Sequence, residues 1–401
     1  MAQRVFITGI GIISAIGSDV SEVTASLKAM QTGIGSLTLI DSVHMDKIPV
    51  AEIKATNQEL LDRAAPGQRG YFSRTALLGL IAAQQAITHA RLEMAAPWRT
   101  GLISATTVGG MDGTEIFYKS FLEHPSRGKI SRVSGHDCGD STERIADCLG
   151  IKDFLSTINT ACSSSANSIM LGARLIGQGI LDRVVAGGAD ALTLFTLNGF
   201  NSLMILDSQQ CRPFDENRNG LNLGEGSGFL VLESETVVNR EDKPVLCEIK
   251  GYGNTCDAYH QTASSPEGHG AFLSMEKALD VAQLSPGEID YINAHGTGTR
   301  NNDLSEGIAI ERLFGKNIPP CSSTKSYTGH TLGAAGAIEA VLSVLAIRNG
   351  WLYPNLNFAV PMHELNFIPV TDFRTGIPIR NVMSNSFGFG GNNSSLIFSQ
   401  F

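Results

Sequence analysis

Cys162 stands in the stretch NTACSSSAN, residues 159–167, between a strand-like run, FLSTINT, and a helix-like run, SSSANSIMLGARLIGQGI. Ile169, Leu171, Leu175 and Ile176 recur near helical spacing, which places the thiol at or beside a helix N-terminus. The positive end of the helix dipole and the free N–H groups there favour a thiolate. The same N–H groups can hold an oxyanion formed when the sulfur attacks a carbonyl. Taken alone, the residue leaves two readings open: a buried structural thiol, or a nucleophile.

Partners for a nucleophile lie later in the chain. NAHGTGT puts His295 at a strand end, followed by small residues that let a substrate approach. SSTKSYTGHTLGAAGAIEA puts His330 at the start of a Gly/Ala-rich helix, where the dipole disfavours imidazolium and leaves a neutral ring able to donate a hydrogen bond. Lys325 precedes it, and Glu339 lies within the helix, where a buried carboxylate needs a cationic partner. SNSFGFGGNN carries Gly388, Gly390 and Gly391 around Phe389. Its functional reading is an oxyanion donor from the Phe389 N–H with the ring as a gate; its bland reading is a turn. A lone His is more often structural than catalytic. Two at Gly-rich strand-to-helix junctions, with a similarly placed Cys, favour chemistry.

The elements that must position these groups belong to a chain of 401 residues, 42% hydrophobic and 17% charged, a globular composition. A formal net charge of -9 argues against a general nucleic-acid footprint. Seven cysteines in no CxxC or CxH pattern read as reduced thiols in a cytoplasmic protein, with no metal site. The opening MAQRVFITGIGIISAIG is broken by glycines and reads as a strand entering a loop rather than a signal peptide; no run of 18 apolar residues suggests a membrane span.

Four landmarks recur in order. RVFITGIG resembles LCEIKGYG, TGLISATTVGG resembles DYINAHGTGT, STINTACSSSANSIMLGARLI resembles PCSSTKSYTGHTLGAAGAIEAVLSVLAI, and DRVVAGGADA resembles IRNVMSNSFGFGG. They suggest a duplicated α/β unit, 1–245 and 246–401, with sheets covered by helices. TGIGIISAIG is not a dinucleotide fingerprint: Ser14 stands where the third glycine belongs.

The stretches TACSSS, RPFDENRNGLNLGEGSG, HGTGT, STKSYTGHTLGAAG and SNSFGFGGNN together resemble an elongating β-ketoacyl-acyl-carrier-protein synthase of the thiolase superfamily. The resemblance spans essentially the whole chain and implies a thiolase-like fold of two α/β halves with packed sheets and helices in layers. It implies a catalytic set of Cys162, His295, His330, Lys325 and Glu339. Cys162 would accept the acyl chain as a thioester. His295 and His330 would assist decarboxylation of a malonyl thioester and stabilise its enolate. Lys325 and Glu339 would organise the His330 side, and Thr297 and Thr299 would contact the pantetheine arm. Backbone N–H groups of Cys162 and Phe389 would form the oxyanion hole, and Val108, Met111, Phe200 and Phe229 would line an acyl pocket. The enzyme would bind no cofactor of its own, since substrates arrive on the phosphopantetheine of acyl carrier protein. It would form a homodimer, or a heterodimer with a related subunit.

Some features fit less closely. RPFDENRNGLNLGEGSG, with Asp215, Glu216 and Arg218, reads as structural support. The segment Asn201–Met204 has no basic residue of the kind some relatives use for carrier docking; Arg63, Arg69 and Arg74 are the alternative patch. HGTGTRNND and SSPEGHGA leave room for a specialised polyene or polyketide pathway. A thiolase would want a second Cys near the C-terminal Gly loop, an initiating synthase an Asn in place of His330, and a non-catalytic chain-length-factor subunit usually lacks the cysteine.

Overall fold

The structure, a computed structural model, describes residues 3–65, 67 and 70–401. Ten strands form one mixed sheet: β1 (Val5–Ser14), β2 (Thr100–Ala105), β3 (Phe154–Ile158), β4 (Arg183–Asp190), β5 (Gly226–Ser234), β6 (Cys247–Cys256), β7 (Tyr291–Asn293), β8 (Cys321–Ser322), β9 (Asn381–Gly388) and β10 (Asn392–Ser399). The helices are α1 (Val20–Lys28), α2 (Asn57–Ala64), α3 (Arg74–Ala90), α4 (Met111–Glu123), α5 (Cys138–Leu149), α6 (Ser164–Gly177), α7 (Leu194–Ser202), α8 (Glu235–Glu241), α9 (His269–Ala282), α10 (Arg300–Phe314), α11 (Lys325–Thr328) and α12 (Ala335–Asn349).

Strand order is β3-β2-β4-β5-β1-β6-β10-β9-β7-β8. Counted inward from either edge, the two five-stranded halves have the same connectivity. The sense of pairing matches as well: β3, β2 and β4 run parallel, as do β8, β7 and β9, while β4-β5-β1 and β9-β10-β6 alternate antiparallel. Within the sheet, the two halves pair through Phe6↔Glu248 and Ile7↔Cys247. Each of the four recurring landmarks falls on a pair of strands at equivalent positions: β1 with β6, β2 with β7, β3 with β8, β4 with β9.

The G-x-G of β1 and of β6 has a packing cause. Residues two apart on a strand face the same side. A Cβ on Gly9 or Gly11 would lie 2.2 Å from Ala86 O or 2.0 Å from Ala82 O of α3. On Gly251 or Gly253 it would lie 2.3 Å from Ala278 O or 2.1 Å from Ser274 O of α9. The missing side chains let an outer helix lie directly on each half-sheet.

α6 and α12 fill the middle layer. α6 packs on β4 and β2 and reaches β10, while α12 packs on β5 and β9 and on α6. Between the two half-sheets a helix has no polar face, and every residue from Ala335 to Ile347 of α12 is buried. Among the described residues, Leu332–Asn349 is the one segment long and apolar enough to cross a membrane, and it is this interior helix.

Candidate active site

The middle layer brings the chemistry together. The N-terminal ends of α6 and α12 touch: Ala337 N donates to Ser165 Oγ at 2.8 Å, and a Cβ on Gly336 would meet Ala166 N at 2.9 Å. Cys162 precedes α6 and His330 precedes α12, so the contact between equivalent helices places thiol and ring side by side. His295 arrives from the end of β7. The Cys162 sulfur and one nitrogen of each ring lie within 4.8 Å of one another. The rings meet edge to face, 5.3 Å between centroids at 84°.

The turn holding Cys162 is built from small polar residues. Ala161 takes a left-handed φ of 53°. Thr160 N donates to Ser164 Oγ at 2.8 Å, and Ser164 N donates to Ala161 O at 3.1 Å. Cys162 thus precedes the first residue of α6 by two. The sequence argued that the helix dipole would keep its sulfur ionised; the structure corrects this. Burial pushes the thiol up to about 11, against the lowering effect of the Phe389 N–H, Lys325 and its own N–H. Only 5% of Cys162 is exposed, and loss of water outweighs a partial charge at the helix end. The N–H groups of Cys162 and Phe389 nevertheless both lie against the sulfur, beside the place where the oxygen of an attacked carbonyl would stand.

His330 does not begin a long helix, as its sequence suggested. It lies in the loop after α11, its N–H donating to Asn222 O at 2.7 Å and its carbonyl accepting from Gly224 N at 3.0 Å. It is neutral for a different reason than the dipole: burial first, then Lys325, hold its basicity well below the usual range. His295 is lowered by burial, by Lys325 and by His330.

Hydrogen bonds fix both tautomers. Leu332 N donates to His330 Nδ1 at 3.2 Å, and Lys325 Nζ donates to His295 Nδ1 at 3.2 Å. Each Nδ1 is an acceptor, so each Nε2 carries the proton and becomes a donor. This is why the converging Cys, His and His suit a substrate oxygen and not a metal ion. A metal needs a free lone pair on the converging nitrogen, with the other nitrogen donating away.

Lys325 Nζ meets three acceptors: His295 Nδ1, His295 O at 2.6 Å and Glu339 Oε1. Its contacts lie on the His295 side, not the His330 side that the resemblance implied. Burial raises the Glu339 carboxyl, with Lys325 opposing it.

Sequence reasoning missed the carboxylates beneath these groups. Glu306 of α10 accepts from His295 N at 2.9 Å and Gly296 N at 2.8 Å, and burial raises it to about 7. Asp303, three residues earlier, accepts from Phe214 N at 2.8 Å and Gly298 N at 3.2 Å. Asp190, at the end of β4, accepts from Thr107 N and Gly333 N at 2.9 and 2.7 Å, tying the β2 end to the loop after His330. The signal was present: Asp303 and Glu306 share one helical face beside HGTGT. What was absent was any sign that this face turns inward.

The site opens on a cavity of about 110 Å³ lined by Cys162, His295, His330, Thr297, Thr299, Phe200 and Phe389. Phe200 and Phe389 stack across it, 5.8 Å between centroids at 15°. Thr297 and Thr299 face each other, hydroxyl to hydroxyl, at 2.9 Å. Val108 and Met111 join Phe200 in one apolar cluster with Leu192 and Leu197 behind this opening. Phe229 is a correction: it lies on β5 opposite Gly11 and Gly187, in the core beneath α3, where a Cβ on Gly187 would come 2.7 Å from its ring.

Asp215 and Arg218 act as support, Asp215 accepting from Ala359 N and Val360 N at 2.6 and 2.8 Å. Of the basic residues considered for docking, Arg74 is withdrawn: its guanidinium is buried against Glu225 at 2.6 Å. Arg63 remains exposed, and Arg69 lies outside the described residues.

The chain is similar to known proteins along its length. The N-terminal domain of β-ketoacyl synthases matches residues 2–237 and the C-terminal domain matches 246–359. The 3-oxoacyl-[acyl-carrier-protein] synthase 2 of Staphylococcus aureus (strain COL) is 35% identical over 100% of this chain and 99% of its own. That of Coxiella burnetii is 35% identical over 99% of each. Among solved structures, the ishigamide ketosynthase/chain length factor superposes with a TM-score of 0.94 at 31% identity over 100% of both chains. A ketosynthase in complex with its chain length factor from Xenorhabdus doucetiae gives 0.83 at 34%, over 100% of this chain and 98% of that one. A thiol beneath two N–H groups and before two ring donors, on this doubled α/β frame and with these relatives along its whole length, shows that the chain belongs to the β-ketoacyl synthase family, acyltransferases of the thiolase-like fold.

Proposed function

We propose that this protein extends acyl chains in fatty-acid biosynthesis, joining an acyl group held on Cys162 to a malonyl unit on acyl carrier protein with loss of CO₂. The observation that carries the mechanism is the pair of fixed Nε2–H donors facing a sulfur that has its own two N–H donors. Two oxygens can be stabilised at once, one on each side of the bond being made.

In the first half-reaction Cys162 attacks the thioester carbonyl of an acyl pantetheine, whose oxygen sits between Cys162 N–H and Phe389 N–H. The pantetheine sulfur leaves, and the proton given up by Cys162 ends on it. In the second, malonyl thioester loses CO₂. The electron pair moves into the carbonyl, and His295 and His330 hold the enolate oxygen. The enolate carbon then attacks the acyl carbonyl on Cys162, the C–S bond breaks, and the returning thiolate takes a proton. Decarboxylation generates the carbanion, so no strong base is needed, and neutral imidazoles suit the task. Lys325 holds the His295 ring in its donor tautomer, and Glu339 anchors Lys325. Thr297 and Thr299 meet the pantetheine arm.

The acyl pocket runs past the Phe200–Phe389 stack toward Val108 and Met111. A cavity of about 110 Å³ is too small for a long acyl chain, so that stack opens when one is carried. The protein works in the cytoplasm as a dimer of identical subunits. In support, β3 is an edge strand with Leu155 42% exposed, and α4 exposes Ile116, Phe121 and Leu122. Two relatives named with a chain length factor favour a second reading, pairing with a related subunit in a polyene or polyketide pathway.

The test is intact-mass measurement after incubation with a panel of acyl carrier proteins. A covalent acyl adduct is expected on the natural chain and not on Cys162→Ala. Adding malonyl carrier protein should release CO₂ and yield a product two carbons longer. An adduct that persists in Cys162→Ala would refute the assignment.

A further inference from the structure

The first of the two asparagines that end SNSFGFGGNN has a part of its own. Asn392 is the first residue of β10, directly after the loop that carries Phe389. Its Oδ1 receives Asn254 Nδ2 at 2.8 Å, Asn167 Nδ2 at 3.0 Å and Ser163 Oγ at 2.8 Å. Ser163 shares its single proton with Thr160 O, also at 2.8 Å. These donors come from three places: the Cys162 turn, α6 in the first half, and β6 in the second.

The network continues on both sides. Asn167 Nδ2 also donates to Thr160 Oγ1 at 2.8 Å, and its Oδ1 accepts from Ser394 Oγ at 2.8 Å and Asn254 Nδ2 at 3.2 Å. On the far side of the loop, Gly388 is pressed against the same turn: a Cβ there would sit 3.0 Å from Thr160 O and 3.1 Å from Cys162 N. The loop is thus held at both ends, leaving Phe389, Gly390 and Gly391 between. Gly390 N donates to Gln261 O at 2.7 Å, and Gly391 O accepts from Asp257 N at 2.9 Å.

Two N–H groups form the oxyanion hole, and they come from different halves of the molecule. They lie 227 residues apart along the chain (389 − 162), so no short covalent path sets their separation. We infer that Asn392 is a positioning residue: its one amide oxygen ties the Cys162 turn to the Phe389 loop and so fixes the gap between the two oxyanion-hole donors. It touches no substrate. Carbonyl stabilisation is steep in donor distance, so a loosened tie weakens acyl transfer more than it weakens any reaction of the sulfur that makes no oxyanion. The inference rests on the reading of Cys162 and Phe389 given above.

The experiment compares two rates on the same sulfur at one pH. One is acylation of Cys162 by an acyl carrier protein, followed by intact mass; the other is alkylation by iodoacetamide, a displacement with no oxyanion. Both use the thiolate, so their ratio cancels changes in ionisation. In Asn392→Leu, which keeps the volume and removes the acceptor, the ratio should fall about 30-fold or more. In Asn392→Asp, which keeps an acceptor oxygen, it should stay within about fivefold of the natural chain. Asn254→Ala removes one donor far from the sulfur and should lower the ratio about three- to tenfold; it serves if the leucine variant does not fold. A ratio unchanged in Asn392→Leu, or in Asn254→Ala when that variant is the one available, overturns the inference. If the natural chain alkylates but takes no acyl group, the functional reading itself fails, and the role of Asn392 falls with it.

Discussion

At the scale of single residues, the site works by matching donors to oxygens while keeping every ring uncharged. Burial holds both imidazoles neutral, and Lys325 supplies His295 with a hydrogen bond that fixes which nitrogen points at substrate. Replacing His295 or His330 by Ala should cut decarboxylation about 10²- to 10³-fold, the loss known for one oxyanion donor, while acylation of Cys162 falls less. Rates of CO₂ release and of adduct formation, measured side by side, check this. Equal loss of both would remove the distinction between the two oxyanion sites. The sulfur gives a pH prediction. With its pKa raised from 9.0 to about 11, the thiolate fraction climbs throughout the alkaline range. The iodoacetamide rate at Cys162 should therefore rise about tenfold per pH unit between pH 8 and pH 10. A plateau already reached at pH 8 would show that the helix dipole dominates after all. In sequence, the identity of the reacting residues was legible because small-residue turns flank each of them. The direction of the thiol's shift was not, because desolvation depends on what the fold stacks above the sulfur.

Secondary-structure elements decide how closely these groups approach. Gly11 lets α3 lie on β1, and a methyl there would overlap backbone at 2.0 Å. Gly11→Ala should lower stability by about 3 kcal/mol, read as a shift in urea midpoint. Gly35→Ala, where nothing stands within 4 Å, should change it by less than about 0.5 kcal/mol. Similar midpoints for the two would contradict the close packing. Under the proposed function, the Phe389 ring between the loop's two fixed ends gates the acyl pocket. Phe389→Ala removes one ring of the Phe200–Phe389 stack, so acylation by long-chain carriers should become faster relative to short-chain ones. Single-turnover rates across a chain-length series measure this; an unchanged ratio would mean the stack is no barrier. The recurring G-x-G pairs were visible as a repeated pattern. The reason for them was not, because the partner of each strand is a helix some seventy or twenty-five residues distant in sequence.

Across the whole molecule, two half-sheets of equivalent connectivity meet at a narrow seam, and two equivalent helices meet between them. An edge strand with an exposed leucine is unstable on its own and calls for pairing. If β3 meets a second copy, Leu155→Lys should shift the protein from dimer toward monomer at micromolar concentration. Sedimentation velocity reads the outcome, and a natural chain that sediments as a monomer would sink the proposal.

The sequence by itself determined the chemical cast. Cys162, His295, His330 and Lys325 are recognisable from their Gly- and Ser-rich surroundings, and the order of four landmarks announces a doubled α/β unit. Local signals of this kind survive in one dimension because turns and helix starts are set by neighbours along the chain. The tertiary structure alone decided which carboxylates stand beneath the histidines, that Lys325 serves His295, that Phe229 belongs to the core, and that one oxygen of Asn392 joins the halves through Ser163 and Asn167. Those facts depend on residues far apart in the chain being buried against one another. Burial, which sets both the ionisation of the thiol and the neutrality of the rings, exists only once the two halves have closed over them.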